Sequence, residues 1–118
     1  MSEATFSHQR LHAYQVSLTF VGFADELVRR LPKAKGQTGD QLRRASESIV
    51  LRIAEGVGAE LGSASQRNHY RAARGSAMEC AAILDLCKAR QVASHEQIAE
   101  GHALLLRLVK MLSRLARG

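Results

Sequence analysis

The chain has 118 residues, 46% of them apolar and only 4% aromatic, and a formal charge of +6 at neutral pH. That length holds one continuous core and excludes a second, while a single proline and the lack of any alternating Val/Ile/Thr run exclude an appreciable sheet. The charge is clustered, with net +5 over residues 29–53, +3 over 66–78 and +4 over 105–118, the last two without any acid; such clusters admit anionic partners, nucleic acid before membrane surface.

The N-terminus, Met1 to His8, has no basic stretch followed by an apolar run, so no secretory signal is expected. Helix-period spacing follows, and a first helix is expected over about residues 8–31. Val16, Phe20, Phe23, Leu27 and Leu31 make one apolar stripe, and Leu11, Tyr14, Leu18, Val21 and Val28 an adjoining one. Together they span roughly 220° of the helix, where one core face needs somewhat more than about 100°. The surplus is expected to be buried against another molecule. Pro32 ends the helix, because the residue before a proline is pushed out of the α region. Thr38 and Gln41 have the spacing of a capping box for a second helix, about residues 39–56.

Along that second helix, Leu42, Ala45, Ile49, Ile53 and Val57 fall on the expected core face. Arg44, Ser48 and Glu55 share a polar strip bordering it. Gly56, Gly58 and Gly62 read as a flexible connection; with no strand before them and no Gly-Lys-Ser/Thr after, they do not make a phosphate-binding loop. Ser63 and Gln66 cap a third helix, about residues 64–90. Its expected core face is His69, Ala72, Ala73, Ser76, Cys80, Ile83, Leu84 and Cys87. Arg67, Arg71 and Arg74 lie opposite, at i, i+4 and i+7, as a solvated basic stripe.

Cys80 and Cys87 are two helical turns apart, on the order of 10 Å, too far for a disulfide within one helix. As buried free thiols they suit a reducing, cytoplasmic setting. Ser94 and Gln97 cap a fourth helix, about residues 95–116, with Ile98, His102, Leu105, Val109, Leu112 and Ala116 toward the core. Leu104, Leu108, Met111 and Leu115 form a second apolar stripe beside them, and Arg107, Lys110, Arg114 and Arg117 occupy the far side. No run of about 20 apolar residues is present to span a bilayer. With connections near 32–39, 57–63 and 91–94, the chain reads as one all-α domain, an antiparallel up-down four-helix bundle.

Two segments carry a resemblance. Arg44-Ala-Ser-Glu-Ser-Ile-Val-Leu-Arg-Ile-Ala-Glu-Gly56, followed by Ala73-Arg-Gly-Ser-Ala-Met-Glu79, resembles the four-helix-bundle family of 23S rRNA intervening-sequence proteins. It is also similar to the accessory variability proteins of diversity-generating retroelements. The resemblance spans about Leu11 to Leu115; Val50 stands where proline is frequent, and Arg52 where asparagine is. It implies a short bundle that assembles into a homo-oligomeric ring, in known cases a pentamer, with nucleic-acid binding in the retroelement branch.

No residue announces a reaction. His8 and His12 lack a third metal ligand, and His95-Glu96 lacks a second histidine because position 99 is Ala99. Ser48 and Ser76 sit mid-helix without a base or an oxyanion hole. No enzyme, metal or cofactor is therefore expected. Arg44, Ser48, Glu55, Ser76 and Glu79 read as a structural polar cluster, with Arg44 pairing Glu79 or Glu55 across the seam of helices two and three. For phosphate binding, the candidates are Arg67, Arg71 and Arg74, extended by Arg43, Arg52, Lys33 and Lys35. The expected function is a non-enzymatic oligomer that binds nucleic acid, structured RNA first, with little base specificity. The alternative is an oligomeric scaffold or accessory subunit for a protein partner.

Overall fold

A computed structural model describes residues 5–118; Met1–Ala4, part of the stretch read as lacking a secretory signal, lie outside the described residues. Four helices carry the fold: α1 (His12–Arg30), α2 (Gly36–Gly58), α3 (Ala64–Ala89) and α4 (His95–Arg117). No strand occurs among the described residues. Each helix packs on its neighbours in sequence and α1 closes against α4, so the four stand in a square with antiparallel neighbours. This is the expected up-down bundle. No described helix is long and apolar enough to cross a membrane.

The helix ends follow the local signals in part. The first helix does not run from residue 8: Ser7–Arg10 form a 3-10 turn, and extended Leu11 (ψ 125°) separates it from α1. Gln9 holds that turn closed by accepting the Phe6 N–H at 2.7 Å. At the other end Leu31 is extended (ψ 145°) ahead of Pro32, as anticipated. Ser63 and Ser94 cap α3 and α4, each accepting an N–H three residues on at 3.1 Å. Thr38 does not cap α2. A 3-10 turn at Lys33–Lys35 already bends the chain into helical geometry, so α2 begins at Gly36 and Thr38 is carried inside it. There the buried hydroxyl accepts from Arg90 Nη1 at 3.2 Å, tying the start of α2 to the end of α3.

Gly56 is no hinge either, because α2 continues through it to Gly58. A Cβ at Gly56 would stand 2.7 Å from Cε1 of the Tyr70 ring, so the missing side chain makes room for the tyrosine. Gln66 fastens the same corner, donating to the Gly56 carbonyl at 3.0 Å and accepting the Gly62 N–H at 2.9 Å.

The inner faces of α3 and α4 match the expected ones in large part: Ala73, Cys80, Ile83, Leu84 and Cys87 on α3, and Ile98, Leu105, Leu112 and Ala116 on α4, are buried as expected. On α3, Tyr70 and Ala77 are buried as well, while His69, Ala72 and Ser76, expected in the core, are turned to the seam. On α4, Gly101 and Leu108 are buried where His102 and Val109 were expected. Gly101 explains this: a Cβ there would stand 2.6 Å from Leu84 Cδ1 and 2.7 Å from Phe23 Cε2. Only a glycine lets α4 come this close to α1 and α3, and that approach sets its rotation.

Most of the surplus apolar surface is used inside the monomer. Leu11 just ahead of α1, Tyr14 and Val28 of α1, and Leu104, Met111 and Leu115 of α4 pack against the core, and Leu108 is wholly buried. The apolar side chains left exposed on the helices are Leu18, a member of the second α1 stripe, and Leu51, Met78, Leu86 and Leu106. Cys80 and Cys87 are free and buried. Burial pushes the Cys80 thiol up to about 12, with Glu79 adding to the rise, and also raises Cys87.

Candidate nucleic-acid interface

The polar strip at the α2–α3 seam is built around two hydroxyls. Ser48 Oγ and Ser76 Oγ are 2.9 Å apart, so one hydroxyl donates to the other beside the core. The charged members of the expected cluster do not join them. Arg44, Glu55 and Glu79 are exposed, and among the described residues Arg44 and Glu79 have no ion-pair partner. Glu55 approaches only His69, at 4.0 Å. At a solvated rim an ion pair gains about 0–1 kcal/mol, so nothing forces these side chains together. The hydroxyls, nearer the core, must find partners. Arg44, Ser48 and Glu55 line a shallow depression along α2 with Glu47, Leu51 and Arg52. Its mixed charges suit no single ligand sign.

His8 and His12 are not brought together. The helix break at Leu11 leaves His8 between the Phe6 and Tyr14 rings, with centroids at 5.7 and 4.7 Å. His12 Nε2 lies 3.2 Å from Arg107 Nη2 instead. Among the described residues no group of three His, Cys, Asp or Glu side chains is placed to hold a metal.

The seven cations singled out from the sequence do not form one surface. Lys33 and Lys35 sit in the α1–α2 connection, at the opposite end of the bundle from Arg67 at the start of α3. Arg43 and Arg52, nine residues apart, are about 180° apart around α2. Arg52 turns toward α3 with Ser48, and Arg43 toward the α1 side. Near the Lys33 end, Arg29 and Arg30 are offset by Glu26, whose carboxyl they hold below the usual carboxylate range.

Arg67, Arg71 and Arg74 do share a face, and the antiparallel packing of α4 enlarges it. Arg74 Nη1 donates to Ser113 Oγ of α4 at 3.3 Å, and Arg67 Nη1 donates to the Gly62 carbonyl at 2.7 Å. Arg71 donates to Asn68 Oδ1 at 3.1 Å. The exposed Lys110, Arg114 and Arg117 lie on the same stretch of α4 as Ser113. Six cations thus occupy one end of the α3–α4 pair, on segments 66–78 and 105–118 that hold no acid, with Arg114 on the side toward α1, where it lines a groove with Leu11, His12 and Ala13. Sequence reasoning set the α4 cations apart on a far side. The clue to joining them was that a short connection makes the start of α3 meet the end of α4.

Residues 9–114 match the model of a family described as 23S rRNA-intervening sequence protein. No curated protein matches the chain. Among solved structures, the chain is similar to a protein with unknown function from the S23 ribosomal protein family of Bacteroides thetaiotaomicron. That likeness has a TM-score of 0.82 over 90% of this chain and 96% of that one, at 21% identity, and shows the fold.

Proposed function

The chain belongs to the 23S rRNA-intervening sequence protein family, and from that premise we propose a binding role: a homo-oligomer that holds structured RNA through basic bands, without catalysing a reaction. The supporting observation is the acid-free band of Arg67, Arg71, Arg74, Lys110, Arg114 and Arg117 on the α3–α4 pair. Cations fixed on packed helices meet phosphates with little loss of freedom, and Arg67 and Arg74 are already tethered by their hydrogen bonds. Tyr70, the one aromatic near the stripe, is buried against Gly56 and offers no face for stacking bases. Phosphate contact without base contact positions a ligand and does not specify its sequence.

A closed ring, a pentamer by the family resemblance, presents the band several times. Linked weak contacts then raise avidity by about two to four orders of magnitude when the ligand spans them. The hydrogen bond between Ser48 and Ser76 supports the non-catalytic reading, since it engages both hydroxyls with one another at the helix seam.

The test is titration of structured RNA and of duplex DNA at several salt concentrations. Affinity should fall with salt, with a log–log slope of roughly −0.9 per phosphate contact on duplex DNA. The combined Arg67→Ala, Arg71→Ala and Arg74→Ala change should weaken binding evenly across sequences and flatten that slope. An oligomer that binds neither ligand at low salt would leave a scaffold for a protein partner as the reading.

A further inference from the structure

We infer that the polar strip of α2 is a self-complementary surface, on which α2 of a second copy lies antiparallel across a two-fold axis. The strip is the depression lined by Arg44, Glu47, Ser48, Leu51, Arg52 and Glu55, with Glu79 beside it across the seam. Inside one chain its charges are idle. Among the described residues Arg44, Arg52 and Glu79 have no ion-pair partner, and Glu55 approaches only His69, at 4.0 Å. Leu51, in the middle of the strip, is 60% exposed. Charges of both signs around an exposed leucine suit a partner that carries the reverse pattern.

That reverse pattern is the strip itself, read from its other end. Arg44 and Glu55 are close to three helical turns apart, so they point within about 20° of one another on α2. A second α2 placed antiparallel, with the two-fold between Ile49 and Val50, sets each Arg44 opposite Glu55 of the other copy. Arg52 is turned toward α3, and the Ser48–Ser76 hydrogen bond puts Glu79 near the level of Ala45. The same two-fold brings Arg52 of the second copy near the level of Glu47, roughly 3 Å along the axis from Glu79. Two kinds of ion pair result, each made twice, while Glu47 stays at the solvated rim on the α1 side. Leu51 meets its own image. With the helices about 9 Å apart, the two Leu51 Cα atoms are about 6 Å from one another. Such an isologous contact joins copies in pairs, so it is additional to the head-to-tail contacts of a ring. Its ion pairs use none of the six cations of the α3–α4 band.

Exposed ion pairs are individually weak and screened by salt, so the contact is tested by trapping it at low salt. A disulfide spans Cα atoms about 4.4–6.8 Å apart, which the two-fold provides at position 51 and a head-to-tail contact does not. Under mild oxidation, Leu51→Cys should form a cross-linked dimer at least tenfold faster than Leu61→Cys. Leu61 lies in the α2–α3 connection, 91% exposed, and reports random collision; the wild type, whose two thiols are buried, is the blank. Adding Arg44→Glu to Leu51→Cys should slow the reaction to the collision rate, and adding Glu55→Arg to both should restore it, because the reversed charges are again complementary. Restoration separates a lost contact from a damaged fold. Equal rates at positions 51 and 61, or an Arg44→Glu effect that Glu55→Arg does not rescue, overturns the two-fold contact. Ring assembly and RNA binding are read independently, by the mass of the wild type and by RNA titration.

Discussion

Ser48 Oγ lies 2.9 Å from Ser76 Oγ, and this hydroxyl pair bridges α2 and α3 beside the core. Each serine has a fallback, since a helical hydroxyl can bond the carbonyl one turn back. Ser48→Ala and Ser76→Ala should therefore each cost about 0.5–1.5 kcal/mol, and the double change less than the sum. Urea denaturation of the four proteins measures the coupling, and strict additivity would show the pair to be incidental.

Gly56→Ala sets two effects against each other. Alanine favours the helix by about 1 kcal/mol, but its Cβ would stand 2.7 Å from the Tyr70 ring. Overpacking of this kind costs about 1–3 kcal/mol, so the variant should melt at a lower temperature. In a Tyr70→Leu background the same change should lose most of its cost. Gly75→Ala, with nothing within 4 Å of the new methyl, should instead stabilise the protein.

Alkaline pH should destabilise the bundle through Cys80. Its thiol is pushed up to about 12 in the folded protein from 9.0, so above pH 9.0 the unfolded chain loses a proton that the folded one keeps. Stability is thus fully present below the unfolded value and falls as pH rises from 9.0 through about 12. Cys80→Ala should flatten this fall by up to one proton. Chemical denaturation at pH 8 and above checks it.

On the nucleic-acid surface, the sharpest contrast is between the two ends of the bundle. Combined Lys110→Ala, Arg114→Ala and Arg117→Ala should weaken RNA binding as the Arg67, Arg71 and Arg74 changes do. The pair Lys33→Ala and Lys35→Ala, at the other end, should weaken it much less. Equal losses from both ends would mean that net charge, and not the α3–α4 band, governs binding.

What was legible in the sequence is what acts within a turn or two. Pro32, the Ser63–Gln66 and Ser94–Gln97 caps and the period of the apolar residues identified four helices and their antiparallel order, because each signal works through residues three or four apart. The Thr38–Gln41 spacing has the same local form, yet a 3-10 turn upstream starts α2 first and Thr38 becomes a partner of Arg90.

By itself, then, the sequence determined the all-α bundle, the core stripe of α2 and the family resemblance. Only the tertiary structure decided that Tyr70 on α3 and Gly101 and Leu108 on α4 also turn inward, since Gly56 and Gly101 act through Tyr70, Leu84 and Phe23 on other helices. It likewise divided the seven candidate cations, placing Lys33 and Lys35 away from Arg67, and joined Arg74 to the α4 cations through Ser113. Charges at a rim obey no local rule: whether Arg44 meets a carboxylate depends on solvent exposure, and exposure is a property of the packed helices.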